Sequence, residues 1–244
     1  MAMRIVTMTL ASATELLMDR DNISFAEKIV RWQKDPTNSD QQSPGDDRAP
    51  AWGWLGKLHY DEMTKRVGLP QSMLLACLRA SGVLIPHPTA KYGKTLKEAS
   101  QAGLQFTTTL CPLLVRRPDD PGWGVIDYEA LFHKLEAEDD FMVHEEVVKQ
   151  FGFRLDVRRA HPQPNRAHVR VRPMFAPWRC ICEVRVLDEV FTDAVLMQMF
   201  QIAGNAKGIG NWRPSTRKAG AYGLFTVEMG IPKDLQQVAK EIRA

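Results

Sequence analysis

The run Trp178–Leu187 reads Trp-Arg-Cys-Ile-Cys-Glu-Val-Arg-Val-Leu, and its strict alternation fits an extended strand with one buried face. The residues after it narrow the fold further. Over Asp188–Ala206 the residues Val195, Leu196, Met199, Phe200 and Ala203 recur at helical spacing behind Thr192, a residue suited to capping a helix. Leu224–Met229 then returns as a strand, and Arg4–Leu10 (Arg-Ile-Val-Thr-Met-Thr-Leu) alternates in the same way near the other end. This order predicts an α+β fold with a ferredoxin-like core carrying helical and loop insertions.

Between these ends, Ala11–Met18 reads as a small-residue turn with a short segment, Phe25–Gln33 as a helix and Pro70–Arg79 as a helix with proline in its first turn. Trp52–His59 holds two tryptophans around Gly53. Leu104–Val115 reads as a strand before a turn-rich Arg117–Gly124 and a mixed acidic segment through Gln150. Phe151–Val157 and His168–Phe175 read as strands around a loop, Ala160–Ala167. The polar, proline-bearing stretch 34–50 offers nothing to a core and is expected as an exposed or disordered insertion. With 244 residues and 44% hydrophobic content, residues 1–244 are expected to form one elaborated domain, with 168–229 as a β-β-α-β part of its core.

The formal charge is only +3, too mild to name a partner, but its distribution is uneven. Asp119–Glu146 holds ten carboxylates against Lys134, a net of −9. Arg154–Arg179 holds seven arginines against Asp156, a net of +6. The basic segment suits a polyanion; the acidic one can repel it or meet the basic face of another subunit. Cys77, Cys111, Cys180 and Cys182 form no CxxC and have no histidine at zinc-finger spacing, so no metal site, cofactor or disulfide framework is expected. Cys180 and Cys182 share one strand face as core thiols. A reducing cytoplasm fits. No apolar run approaches the roughly 20 residues a membrane helix needs, and Met-Ala-Met-Arg lacks a signal-peptide pattern, so a soluble, non-secreted chain with no membrane partner is expected.

The chemistry concentrates in Gly204–Phe225, which carries glycines at 204, 208, 210, 220 and 223. Gly208 and Gly210 permit close backbone approach, so that free amides can cradle a phosphate. Lys207, Arg213, Arg217 and Lys218 supply charge, while Trp212 and Tyr222 can stack on bases. The segment follows a helix and leads into a strand, the reverse of a dinucleotide fingerprint. The competing reading is a helix C-cap at Gly204 or Gly208 with a tight return and Trp212 tucked into the core. Arg170 with Arg172, and Arg179 with Arg185, fall on common strand faces and extend the basic surface if the two strands are neighbours. Lys91, Lys94 and Lys97 recur every third residue as a second basic feature, equally compatible with a solvated helix face.

Several motifs together resemble a known family. Ser12-Ala13-Thr14-Glu15-Leu16-Leu17-Met18, the helix after Pro70, Val171-Arg172-Pro173-Met174-Phe175, Gly208-Ile209-Gly210-Asn211-Trp212-Arg213-Pro214 and Tyr222-Gly223-Leu224-Phe225 resemble a family of bacteriophage and prophage proteins. That family is similar in turn to the RAMP superfamily, in particular the backbone subunit that polymerises along guide RNA in CRISPR effector complexes. The likeness is best over 168–229, excludes 34–66, and departs at Lys218-Ala219-Gly220-Ala221, where relatives are shorter. It implies a modified RRM-like fold, a glycine-rich loop touching nucleic acid or a neighbouring subunit, and head-to-tail oligomers or a larger nucleoprotein complex.

The function expected is a non-catalytic binder of single-stranded DNA or RNA, by Lys207, Gly208, Gly210, Trp212, Arg213, Arg217, Lys218 and Tyr222 with Arg170, Arg172, Arg179, Lys91 and Lys94. A metal-independent endoribonuclease is the alternative within the same superfamily. Its candidate acids and bases are His59, His87, His133, His144, His161 and His168, none of them in a recognisable constellation. A third reading makes the acidic segment a docking surface for another protein.

Overall fold

The computed structural model describes residues 3–41, 45–89, 93–163, 166–217 and 219–243, with the backbone alone between 160 and 167. In chain order, β1 (Arg4–Ser12) and β2 (Leu16–Leu17) precede α1 (Ile23–Lys34) and a 3-10 turn at Ala51–Lys57. Then come β3 (Gly68–Pro70), α2 (Gln71–Gly82), α3 (Lys97–Gly103), β4 (Leu104–Phe106), β5 (Leu110–Arg117) and β6 (Asp120–Val125). The helices α4 (Tyr128–Leu135) and α5 (Phe141–Gln150) lead to β7 (Arg154–Gln163), β8 (Arg166–Phe175) and β9 (Trp178–Val186). Last come α6 (Asp193–Ile202), β10 (Phe225–Met229) and α7 (Gln236–Arg243). The fold is α+β.

Two sheets organise these elements. The larger is antiparallel in the order β10-β1-β9-β5-β3, with β4 also on β9 and β6 on β5. Its alternation decides its layers. Met8 and Leu10 of β1 and Cys180, Cys182 and Val184 of β9 are all buried and join the core cluster that includes α2 and α6 residues Leu74, Leu78, Leu196 and Phe200. All four cysteines are buried and unpaired, as expected for the two on β9. A second apolar cluster, Leu114 with Leu235 and Val238, seats α7 on the other side. The smaller sheet runs β2-β8-β7 and packs on the Ala51–Lys57 turn and α5. Both tryptophans of that turn are buried, and Trp54 Nε1 donates to His144 Nδ1 at 3.1 Å.

Thr192 caps α6 as its sequence predicts, accepting from the Val195 amide. Three other expectations need correction. The loop foreseen at 160–167 is mostly strand, because β7 and β8 form one long hairpin. The turn-rich 117–124 stretch is a hairpin with β6. Most consequentially, β8 and β9 are not neighbours and lie in different sheets. Only Ala176 and Pro177 separate them, and Pro177 has no amide hydrogen for a ladder and a fixed φ that turns the chain away. Of the acidic residues, Asp127 and Asp140 cap α4 and α5 through the Ala130 and Met142 amides.

Candidate nucleic-acid interface

After α6 the chain widens into a π turn at Ala203–Lys207, and the Gly208 amide closes it on the Ala203 carbonyl at 2.9 Å. The Cys77 thiol of α2 reaches the Gly208 carbonyl at 3.2 Å; burial pushes its pKa up to about 12, so it remains a donor. From there the loop binds inward: the Ile209 amide to Gly223, the Asn211 amide to Leu17 and the Gly223 amide to Glu15, at 2.7–2.9 Å. Gly223 has φ +72°, and a Cβ there would lie 1.7 Å from the Ile209 carbonyl oxygen, so any other residue breaks the turn. The phosphate cradle of free amides is therefore not built. Gly208, Gly220 and Gly223 already donate within the chain, and Gly210 seats against the Leu17 carbonyl. Arg213 is likewise turned inward, donating to the Gly210 carbonyl at 2.7 Å and the Ser215 hydroxyl at 3.0 Å.

What this scaffold presents is a pair of rings. Trp212 and Tyr222 stack with centroids 5.7 Å apart and planes at 26°. Trp212 sits in the left-handed region at φ 51°, 36% exposed, a backbone cost of roughly 1 kcal/mol or more for a bulky residue. The rings lie over one face of the β7–β8 hairpin. Alternation puts Arg154, Asp156 and Arg158 on that face, and the register sets Arg172 opposite Asp156 and Arg170 opposite Arg158. Asp156, 4% exposed, accepts from Arg158 Nε at 2.5 Å and Arg172 Nη2 at 3.0 Å. The Arg158 guanidinium stands 5.4 Å from the Trp212 ring and 5.2 Å from the Tyr222 ring, and it donates to the Tyr222 hydroxyl; Arg172 lies 5.9 Å from Trp212. Burial opposes the charge of Arg158, yet the hydrogen bond to Asp156, the charge of Asp156 and Tyr222 together hold its pKa above the ordinary guanidinium value. Arg172 Nε is buried without a partner among the described residues.

Of the residues foreseen, the fold thus gathers Trp212, Tyr222, Arg170 and Arg172. Exposed Arg217 makes no ion pair among the described residues, and Lys207 lies half-buried at the loop's start. Arg179 lies elsewhere, bound to Asp234 at 2.9 Å and stacked 4.8 Å from Trp123 beside α7, because β9 belongs to the other sheet. Lys94 is exposed in the return that leads to α3, while Lys91 and Lys218 fall outside the described residues. Arg154, Asp156 and Arg158 were not singled out, although their period of two beside Arg170 and Arg172 was visible in the sequence. A groove of about 370 Å³ adjoins the face, lined by Arg20, Lys57 and Arg170 with Asp19 and Asp21; Asn211 Nδ2 donates to Asp19 at 3.0 Å and ties the loop to its wall.

The histidines are scattered. His144 is locked between the Trp54 indole and the Glu138 carbonyl, and burial lowers its pKa. Burial, then the charge of Arg20, lowers His59 to about 4. His133 is exposed beside Glu129 and Glu136, His87 lies near Thr89, and His168 lines a second groove with Arg170; the side chain of His161 lies outside the described residues. No cluster of metal-ligating side chains and no helix long and apolar enough to cross a membrane occurs among the described residues.

No protein-family model and no curated protein matches the sequence. Among solved structures the chain is similar to Cmr6 from Pyrococcus furiosus, at 11% identity over 92% of this chain and 97% of that one, with a TM-score of 0.35. At that score the alignment carries no argument.

Proposed function

We propose that the chain is a non-catalytic binder of single-stranded nucleic acid, gripping the backbone with the β7–β8 arginine face and stacking bases on Trp212 and Tyr222. One observation carries this reading: four arginines, 154, 158, 170 and 172, share a hairpin face with one carboxylate, and a partly exposed ring pair stands against two of them, Arg158 and Arg172. Cations that track phosphates, set beside sequence-tolerant rings, are the parts such binding uses. The order β10-β1-β9-β5, with α2 between β1 and β5 and α6 between β9 and β10, supports a ferredoxin-like, RRM-type core. The motif resemblance to phage proteins of RAMP type adds the expectation of head-to-tail oligomers along the strand.

The deciding experiment measures binding of a labelled (dT)20 and a matching RNA across salt concentrations, for the native chain and for Arg170→Ala/Arg217→Ala. Loss of two phosphate contacts should reduce the slope of log affinity against log salt by about 1.4. A slope near zero in the native protein refutes the reading.

A further inference from the structure

A second basic cleft lies at the Arg154 end of the arginine face. Its walls bring Arg116 and Arg117 from the end of β5, Lys149 from the last turn of α5 and Arg154 from the start of β7 around a volume of about 380 Å³. Phe153 and Met174 contribute apolar wall. No carboxylate lines it, unlike the grooves beside Arg170, whose walls include Asp19 and Asp21 or Asp46 and Asp47. The convergence depends on Gly152. Its φ of +83° turns the chain from α5 into β7 so tightly that a Cβ there would meet the Arg116 carbonyl oxygen at 2.5 Å. Arg116 lines the cleft with its backbone and turns its guanidinium to the α7 face, while the other three cations are lightly engaged. Arg116 stacks 4.8 Å from Trp123, Arg117 donates to the Val125 carbonyl, and Arg154 meets Glu15 at 3.3 Å with both side chains largely exposed. Lys149 has no ion pair among the described residues.

Three like charges, Arg117, Lys149 and Arg154, around one apolar-walled cleft repel one another, and an oxyanion relieves the repulsion while forming charge-assisted hydrogen bonds. We propose that this cleft is a second binding site, for a phosphate group, fed by Arg154 at its junction with the arginine face. It rests on the strand-binding reading only for the source of the phosphate, which is a strand leaving that face or a free inorganic phosphate.

Calorimetric titration with pyrophosphate tests it on three proteins: the native chain, Arg117→Ala/Lys149→Ala, and Arg170→Ala/Arg217→Ala. All four substitutions are at surface positions, and an unchanged thermal midpoint verifies folding. The native chain should bind pyrophosphate, the cleft variant at least tenfold more weakly, and the Arg170/Arg217 variant as the native chain does. No binding by the native chain, or undiminished binding by the cleft variant, overturns the proposal. Displacement of pyrophosphate by (dT)20 supports the site with a strand as its source, and independent binding of the two supports it with free phosphate. Failure of (dT)20 to bind while pyrophosphate still does would refute the strand-binding reading and leave the cleft standing.

Discussion

Two clusters in this molecule use the same kinds of side chain in different ways. Beside α7, Arg116 and Arg179 stack on Trp123, and Asp234 receives both Arg179 and the Trp123 indole. Under the loop, Arg158 and Arg172 stack on Trp212 and converge on Asp156. In the first, Asp234 is about half exposed and bridges from the turn before α7 to the sheet, so the cluster fastens a helix. In the second, the carboxylate is buried under the arginines, and Trp212 and Arg158 are both partly exposed. The difference is which member faces water: in the first cluster the acid is exposed, whereas in the second the acid is buried and a ring and a guanidinium are exposed together.

The comparison can be broken by removing its parts. Asp156→Ala leaves Arg172 buried without its carboxylate and should cost about 3 kcal/mol or more in urea denaturation; a loss below about 1 kcal/mol would erase the distinction between the clusters. Next, Trp212→Ala should weaken (dT)20 binding by about 1–3 kcal/mol in fluorescence titration. Trp123→Ala should leave affinity intact, and equal losses would mean that neither cluster is the interface. Smaller still, Asp234→Ala removes a partly exposed pair worth about 1 kcal/mol, read as faster hydrogen exchange confined to α7.

A further effect is local and depends on pH. His59 has its folded pKa depressed to about 4 from an ordinary 6.5, so the stability it confers is present above 6.5 and is lost as pH falls from there through 4. His59 donates its amide to the Met18 sulfur next to β2. Protection of the β2–β8 amides, taken relative to the intrinsic exchange rate at each pH, should therefore fall between pH 7 and 4.5 before that of α7, and His59→Gln should blunt the difference. Simultaneous loosening of both would contradict it.

Strong periodicity made much of the fold legible. β1, β9, α2 and capped α6 stand close to where alternation and helical spacing put them, because each buries one face against a large core. The assignment of β8 and β9 to separate sheets was not legible, since their alternation is the same in either arrangement and only Pro177 hints at the break. The loop misled in a different way. Its glycines were read as openings for a ligand, but Gly208, Gly220 and Gly223 are there for contacts within the chain, which composition does not distinguish. Arg158 counted only as one charge of the basic segment, because its role arises from Asp156 and Tyr222, the latter 64 residues away.

The position of β1 between β9 and β10, with the loop tied to Glu15 and Leu17, also orders events in time. During synthesis β1 emerges before both of its neighbours and meets neither until residues 178–229 have emerged as well, so its alternating apolar face waits while the elements from β2 to β8 are made. The ring pair is assembled by those same late contacts. A chain that stops before β10 should therefore lack the binding surface and leave an unpaired edge on β1, which favours aggregation over a soluble fragment.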